Sequence, residues 1–349
     1  MFTGQTMAQS DNNGERRVTT SFYLSNATII PSPGKILSNY DILFKDGVIV
    51  KIGKNLQAPG DAKEIKGESL FVYPGFIDFG NKSGVKNPEL PERPQNFDTS
   101  NPNPEIAGIH PHFSSAKHYK FDGNLEDEWR KIGFTMAQKL PGGRGMLPGT
   151  TALVVYGDKD NNNVVSESQF QFFQFSTIGG LYPHTKLAVM AKWRDLYQNS
   201  ILYEESLSLY EKNKSIGRIK NDAVLNALVP VTKGQQPLLV SVKSELDIRR
   251  AIKMQDENKF KLILLGVGEG VSPIPLIKSK EIGVVLSLEL PEDNFTDSLP
   301  EKQRGQDYEA LLKRGKKAYN ESLSLASKYE EAEIPFAFSS VGIEKKDFF

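Results

Sequence analysis

The chain has 349 residues, 38% of them hydrophobic and 25% charged, which is an ordinary globular composition long enough for a large core. Lys+Arg and Asp+Glu are both 43, so no net charge attracts nucleic acid or an anionic membrane surface. The absence of cysteine excludes disulfides, thiolate catalysis and cysteine-ligated zinc. No apolar run approaches the roughly 20 residues that a membrane span needs.

The N-terminal segment, residues 1–20, is predicted to be a disordered leader. It lacks the basic start and apolar core of a complete signal peptide, but Thr6-Met7-Ala8 before Gln9-Ser10 matches the small-residue end of one. This pattern favours an exported, periplasmic protein whose translation begins upstream. The alternative is a cytoplasmic protein with a polar N-terminus.

Residues 21–70 have the pattern of a small β-sheet domain. The stretch "FYLSNATII" is rich in β-branched residues and alternates, as a half-buried strand does. Asp46-Gly47 separates two further alternating runs. Because glycine tolerates the positive φ of a type I′ turn, this pair predicts a β-hairpin.

Residues 71–349 alternate between strand and helix signals. The stretch "SLFVYPGFIDFG" is apolar on both faces, which is typical of a buried parallel strand. The following residues, 81–122, have no clear periodicity, and a loop of this length is usually functional or an insertion. Further strands are predicted at "GTTALVVYG", "SQFQFFQFS", "QPLLVSVKS", "KLILLGVG", "VVLSLELP" and "IPFAFSSVG".

Helices are predicted between these later strands. A long amphipathic helix begins near Thr185, and Ser244 with Asp247 predicts a capping box at the start of another. The predicted buried face of the long helix consists of Leu187, Met190, Trp193, Leu196 and Tyr197.

The alternation predicts an α/β fold, and the number of units without a dinucleotide fingerprint favours a (β/α)8 barrel. Only about six barrel strands can be counted, and the terminal "EKKDFF" has the pattern of a helix start. The prediction is therefore an incomplete (β/α)8 TIM-like barrel over residues 71–349, truncated at its C-terminus. Its expected partner is the missing C-terminal part of the same polypeptide.

Residues 26–78 resemble the N-terminal segment of the amidohydrolase superfamily. That segment reads N-A-x-I, then D-x-x-I-x-D/E-G-x-I-x-x-I-G, then G-x-x-V-x-P-G-x-I-D. The matching positions are Asn26-Ala27, Asp41-Ile42, Asp46-Gly47, Ile52-Gly53, Gly67 and Pro74-Gly75-Phe76-Ile77-Asp78. The later strands resemble the imidazolonepropionase-like branch more weakly.

The resemblance implies a small β-sandwich attached to a (β/α)8 barrel, and hydrolysis of C–N bonds other than peptide bonds. Active relatives hold one or two divalent metals, Zn or Fe, at the C-terminal mouth of the barrel. Their ligands are a His-x-His after P-G-x-I-D, two histidines on later strands and an aspartate on the last strand. Such a metal activates a bound water.

This sequence departs from the ligand pattern at every position. The substituted positions are Gly80, Lys82, Ser241, Gly266 (or its neighbour Leu265) and Val341. Asp78, which the resemblance places beside the metal rather than on it, is expected to be structural. We therefore expect no metal cofactor in this segment, and a non-catalytic scaffold or interface within a larger hydrolase.

Two alternatives remain open. His110, His112 and His118 are close in sequence. In the first alternative, these histidines and Asp78 are displaced metal ligands, and the chain is an active metal-dependent amidohydrolase that acts on a cyclic amide. The simpler expectation is that these are solvated loop histidines. The aromatic run "FQFFQF" and the long loop would suit a sugar- or peptide-binding module.

Overall fold

The computed structural model describes residues 21–157, 163–291 and 307–343, and the chain divides into two units, Met1–Gly75 and Phe76–Phe349. The predicted leader and the terminal "EKKDFF" lie outside the described residues, so both stay predictions. None of the described helices combines the length and apolarity that crossing a membrane requires.

The described part of the first unit is one five-stranded sheet with the order β3-β2-β1-β4, in which β5 also pairs with β1. Its strands are β1 (Ser21–Ser32), β2 (Lys35–Lys45), β3 (Val48–Gly53), β4 (Ala62–Lys66) and β5 (Phe71–Val72). Asp46 and Gly47 connect β2 to β3 with φ angles of 52° and 77°, so the predicted I′-type hairpin is present.

The core of this sheet forms on one face of β1 and β2. Leu24, Ala27, Ile29 and Ile42 pack together there and are almost fully buried. Strand β3 lies at the edge of the sheet and is exposed along most of its length. The edge strand is therefore paired on one side only within the described residues.

The second unit is built on an eight-stranded sheet whose strands follow one another in chain order. They are β6 (Phe76–Asn81), β7 (Phe134–Lys139), β8 (Gly149–Val155), β9 (Val164–Gln174), β10 (Leu238–Ser241), β11 (Leu262–Val267), β12 (Gly283–Ser287) and β13 (Phe336–Ser339). Strand β8 is antiparallel to β7 and β9, and the other neighbouring pairs are parallel.

Helices cover the outside of this sheet. The described ones are α1 (Ser115–His118), α2 (Gly123–Lys131), α3 (Lys186–Lys212), α4 (Ala223–Thr232), α5 (Glu245–Asn258), α6 (Ile274–Ser279), α7 (Tyr308–Leu323) and α8 (Leu325–Glu331), with a short 3-10 turn at Lys214–Ile216. Trp193 of α3 is completely buried among the aliphatic residues of the largest core cluster.

Two local predictions need correction. Leu187 was assigned to the buried face of α3, but its side chain is 74% exposed because it lies off the face on which Val189 and Met190 are buried. Ser244 does cap α5, yet the Asp247 carboxylate does not complete a capping box. It accepts hydrogen bonds from Lys186 and Arg250 instead, because α3 brings a lysine within reach.

The sheet curls until its first and last strands meet at a seam. Ser339 Oγ of β13 donates to the Gly80 carbonyl of β6 at 3.2 Å, and the next residue, Ser340, bonds to Asp78. The α/β prediction of a TIM-like barrel beside a small β domain is confirmed. The count of about six strands was too low, since the β8–β9 hairpin widens the sheet to eight. Within the described residues, hydrogen bonds from the Ser339 and Ser340 side chains connect the end of β13 to β6.

Candidate functional site

The carboxyl ends of the parallel strands form the mouth of the barrel, where loops and strand ends supply the functional groups of such folds. A cavity of about 500 Å³ lies there, and Ser241, Gly266 and Val341 line it together. The structure thus brings three of the five substituted ligand positions into one site. Leu265, the alternative to Gly266, instead packs in the core inside the barrel.

Gly80 occupies a position that has no space for a side chain. A Cβ atom built there would lie 2.3 Å from Ser339 Oγ and 3.2 Å from Leu265 Cδ1. The seam between β6 and β13 is therefore closed over the position where the resemblance expects the first histidine. A side chain at residue 80 would require the side chains of Ser339 and Leu265 to move.

Lys82 follows the end of β6, and the charge of a second lysine affects its pKa. Burial lowers the pKa of Lys82, and the positive charge of Lys243, which follows β10, lowers this pKa further. Lys243 also lines the 500 Å³ cavity. Among the described residues no carboxylate forms an ion pair with either lysine. The substituted position Lys82 therefore offers a cationic side chain where a metal site would need a neutral or anionic ligand.

Several polar residues of this cavity were not singled out from the sequence. They are Lys243, Glu269, Ser287 and Glu289. Each lies at the end of a barrel strand or within two residues of it, and that position is the signal that could have found them. The charged groups that line the cavity are one ammonium group, Lys243, and two carboxylates, Glu269 and Glu289.

Asp78 is buried in the seam and does not face the cavity. Its carboxylate accepts hydrogen bonds from Gly80 N (3.2 Å), Asn81 Nδ2 (2.9 Å), Ser340 N (3.0 Å) and Ser340 Oγ (2.5 Å). These bonds use the lone pairs of both oxygens. We therefore assign Asp78 to joining β6 and β13.

The three clustered histidines lie elsewhere, beside a second cavity of about 390 Å³. His110 is 5% exposed, so the expectation of a solvated loop histidine is wrong for this residue, because Ile109 and Leu147 anchor its segment in the core. His112 and His118 are exposed. The rings of His110 and His112 are 6.3 Å apart at their centroids.

The electrostatics of this second cavity favour neutral imidazole at His110. Burial lowers the pKa of His110 and the nearby His112 lowers it further, while Glu105 acts in the opposite direction. His110 Nε2 is buried without a hydrogen-bond partner among the described residues. The ring of His118 stacks on Phe113 at 4.1 Å. No group of three or more histidines and carboxylates in the described residues is arranged to hold a metal ion.

A buried lysine that the sequence analysis did not single out ends strand β7. Lys139 is 1% exposed, and its Nζ donates to Asn81 Oδ1 (3.2 Å), Ser83 Oγ (3.0 Å) and Tyr156 OH (3.1 Å). Burial raises the pKa of Tyr156, so its hydroxyl stays protonated. These contacts lie on the helix side of the sheet, together with the cluster around Trp129, Phe134 and Ala137.

Glu126 of α2 interacts electrostatically with Lys139. Burial raises the pKa of Glu126 to about 7, against the opposing charges of Lys139 and Arg130. Neither carboxylate oxygen has a hydrogen-bond partner among the described residues. The carboxyl group is therefore near half protonation at neutral pH.

The donor chemistry at the barrel mouth does not fit a catalytic divalent metal. Glycine and valine offer no side-chain donor, a serine hydroxyl is a weak ligand, and an ammonium group has no lone pair to donate. The closed packing at Gly80 removes space as well as ligands. No step of a metal-assisted hydrolysis is assigned to these residues.

Comparison with known proteins identifies the fold. No family model matches the sequence, and no curated protein matches it significantly. An amidohydrolase from Thermotoga maritima MSB8 has a TM-score of 0.69 at 17% identity, covering 91% of this chain and 78% of that chain. A prolidase complexed with N-methylphosphonate-L-proline gives 0.47 at 13% identity, covering 92% and 78%. An ochratoxinase from A. niger gives 0.44 at 13% identity, covering 92% and 76%.

At these identities the likeness concerns the fold alone. The comparison of folds rests on the first of these structures, which has a TM-score of 0.69. The amidohydrolase-type fold, which the motifs between Asn26 and Asp78 predict, is confirmed. The imidazolonepropionase-like branch is not specified by the comparison and stays a prediction.

Proposed function

We propose that this chain uses an amidohydrolase-type fold as a non-catalytic scaffold or interface within a larger hydrolase. The observation that carries the proposal is the chemistry at the mouth of the barrel. Five positions that would supply imidazole or carboxylate ligands hold Gly80, Lys82, Ser241, Gly266 and Val341. Three of them present a positive charge (Lys82) or no side chain at all (Gly80 and Gly266).

The packing at the seam supports the same proposal. Gly80 packs against the side chain of Ser339, which occupies the space next to this strand end. Asp78 is saturated by hydrogen bonds from Ser340 and its own loop. The energy of these contacts stabilises closure of the barrel, which is a scaffold property rather than a catalytic one.

The test is elemental analysis of the purified chain after growth with zinc and iron, combined with a hydrolysis assay on cyclic amides. We expect less than stoichiometric metal and no hydrolysis that added metal increases. Stoichiometric metal with metal-dependent turnover would overturn the proposal. The variants Ser241→Ala and Lys82→Ala locate any metal found, since a mouth site must respond to them.

One observation favours a second candidate, a hydrolase with displaced ligands. His110 Nε2 is buried and unpartnered among the described residues, beside a cavity that His112 and His118 also line. Asp78 cannot join this group because its carboxylate is engaged at the seam. The matched variant His112→Ala decides between the two: metal that disappears in His112→Ala supports the second candidate, and metal absent from both proteins removes it.

A further inference from the structure

The cavity that the three clustered histidines line is formed by residues 86–118, which connect β6 to α2. Its volume of about 390 Å³ falls within the roughly 300–1,000 Å³ that small-molecule sites occupy. Its wall combines Pro88 and Phe113 with one amide, one ammonium group, two carboxylates and the three imidazoles. No described residue lines both this cavity and the one at the barrel mouth. It is therefore a separate site with room for a small organic molecule.

Two imidazoles of this cavity are oriented by backbone carbonyl groups. His118 Nδ1 lies 2.9 Å from the Ser114 carbonyl oxygen, and because a carbonyl group only accepts, Nδ1 carries the proton. The ring of His110 donates to the backbone of Glu105, while its Nε2 is buried and has no partner among the described residues. In a neutral ring whose Nδ1 is protonated, Nε2 is a hydrogen-bond acceptor. Both rings thus offer the cavity an acceptor rather than a donor.

The carboxylates of this cavity outnumber its ammonium groups. Lys86 Nζ lies 2.7 Å from Glu89 Oε1, so these two charges compensate one another. Glu105 lines the same cavity, and its carboxylate forms no ion pair within the part of the chain that the structure describes. With neutral imidazoles the wall therefore carries one uncompensated negative charge. This charge attracts a cation and repels an anion.

An organic ammonium ion matches this wall better than a metal ion does. A metal ion needs several ligands around one point, and no three His, Asp or Glu side chains among the described residues are arranged in that way. An ammonium group carries one positive charge and three N–H donors, so acceptors at separate positions satisfy it. We propose that this cavity binds a small primary alkylammonium ion, which donates a hydrogen bond to His110 Nε2 and is attracted by the Glu105 carboxylate. The alkyl body then lies against Pro88 and Phe113, and the site is independent of the proposed scaffold role.

The experiment is calorimetric titration of the full chain with 3-methylbutylamine at neutral pH, in a buffer containing EDTA. We expect saturable binding that weakens about tenfold in Glu105→Gln, because the attracting charge is lost. Glu92→Gln is the matched control, because Glu92 is an exposed acid of the same connection that does not line the cavity. This variant should bind as the parent does. His110→Phe removes the acceptor and should also weaken binding, provided that its urea unfolding curve shows a folded protein.

Two further ligands separate charge from hydrogen bonding without changing the protein. The alcohol 3-methylbutan-1-ol has nearly the same shape without the charge and should bind at least about tenfold more weakly. The quaternary ion trimethyl(3-methylbutyl)ammonium keeps the charge but has no N–H donor, so it should also bind more weakly than the amine. Equal binding of the amine and either of these ligands, unchanged binding in Glu105→Gln, or no binding of the amine at millimolar concentration overturns the inference. Binding of the amine only when EDTA is omitted would show a metal-dependent site and would overturn it as well.

Discussion

The backbone N–H of Ser340 donates a 3.0 Å hydrogen bond to the carboxylate of Asp78, a residue 262 positions earlier in the chain. The same carboxylate accepts from the Ser340 hydroxyl, from Gly80 N and from Asn81 Nδ2. One buried side chain thus joins the first and last described strands of the barrel.

The first prediction concerns this junction. Asp78→Ala should lower the free energy of unfolding by about 3 kcal/mol, because it leaves buried N–H and O–H donors without an acceptor. Urea unfolding followed by tryptophan fluorescence measures this loss, since Trp129 and Trp193 both lie in the barrel unit. Glu330→Ala, an exposed change on α8, serves as the control. A loss no larger than that of the control would contradict the assignment.

The second prediction concerns the close packing of Gly80 against Ser339. Gly80→Ala should cost about 1–3 kcal/mol, because the new Cβ overlaps Ser339 Oγ. Ser339→Ala alone should cost about 1 kcal/mol through the lost bond to the Gly80 carbonyl. The double variant should be more stable than the sum of the two losses indicates. Strictly additive losses in the same unfolding assay would show that the overlap is not the cause.

The third prediction is a pH dependence from Glu126. Its pKa is raised from 4.5 to about 7 in the folded protein, so the folded state binds the proton more tightly than the unfolded state. The contribution to stability is fully present below pH 4.5 and is lost as the pH rises through 7. The expected loss is of order 1–2 kcal/mol, less than the full shift implies because local hydration screens the charge.

The measurement for Glu126 compares urea unfolding of the parent and of Glu126→Gln at pH 5 and pH 8. The stability difference between the two proteins should change in favour of the variant at the higher pH. Glu128→Gln, a change on the same helix, controls for the removal of one negative charge. A parent and a Glu126→Gln variant with parallel pH profiles would show that the carboxyl group titrates normally.

The fourth prediction concerns the contact between α3 and α5. Asp247 is 2% exposed and accepts from Lys186 Nζ (2.7 Å) and Arg250 (2.7 Å). Burial alone would raise the pKa of Asp247, but these hydrogen bonds lower it below 3.8. Its stabilising effect is therefore present above pH 3.8 and lost as the pH falls through the folded pKa.

Asp247→Asn should cost about 3 kcal/mol at neutral pH, because two cations then lose a buried partner. Asp195→Asn removes the exposed pair with Lys192 and should cost less than about 1 kcal/mol. Urea unfolding at low and at high salt distinguishes the two ion pairs further, since salt screens the exposed Asp195–Lys192 pair more strongly than the buried Asp247 contacts. Equal costs for the two variants would contradict this assignment.

The fold could be predicted from the sequence because its signals are local. The Asp46-Gly47 turn and the helix cap at Ser244 each specify their own element, and the structure contains both. The apolar run into Asp78 does form a parallel strand, but the prediction that it is buried was wrong for Phe76 and Ile77, which are 60% and 53% exposed. The strand count was too low because the pattern of "GTTALVVYG" predicts a strand without showing whether that strand joins the barrel sheet. Sequence pattern does not tell a strand added to a sheet from one within it.

The site could be predicted only in part. Register along the chain picked out Gly80, Ser241 and Gly266, yet the reason that Gly80 has no side chain lies with Ser339, far away in sequence. Lys243 was missed because its place in the cavity, beside Glu269 and Glu289, depends on how separate strand ends come together. Such relationships between distant strand ends are set by barrel closure, which no local pattern encodes.

Strand β3 has a practical consequence for handling this protein. Its side chains Val48, Ile49, Val50 and Ile52 are between 45% and 64% exposed, on a strand with one unpaired edge within the described residues. Such edges template intermolecular pairing, and a central lysine is a common guard against it. Lys51 is the charge in this stretch, so concentrated solutions depend on its repulsion to stay free of strand-to-strand aggregates.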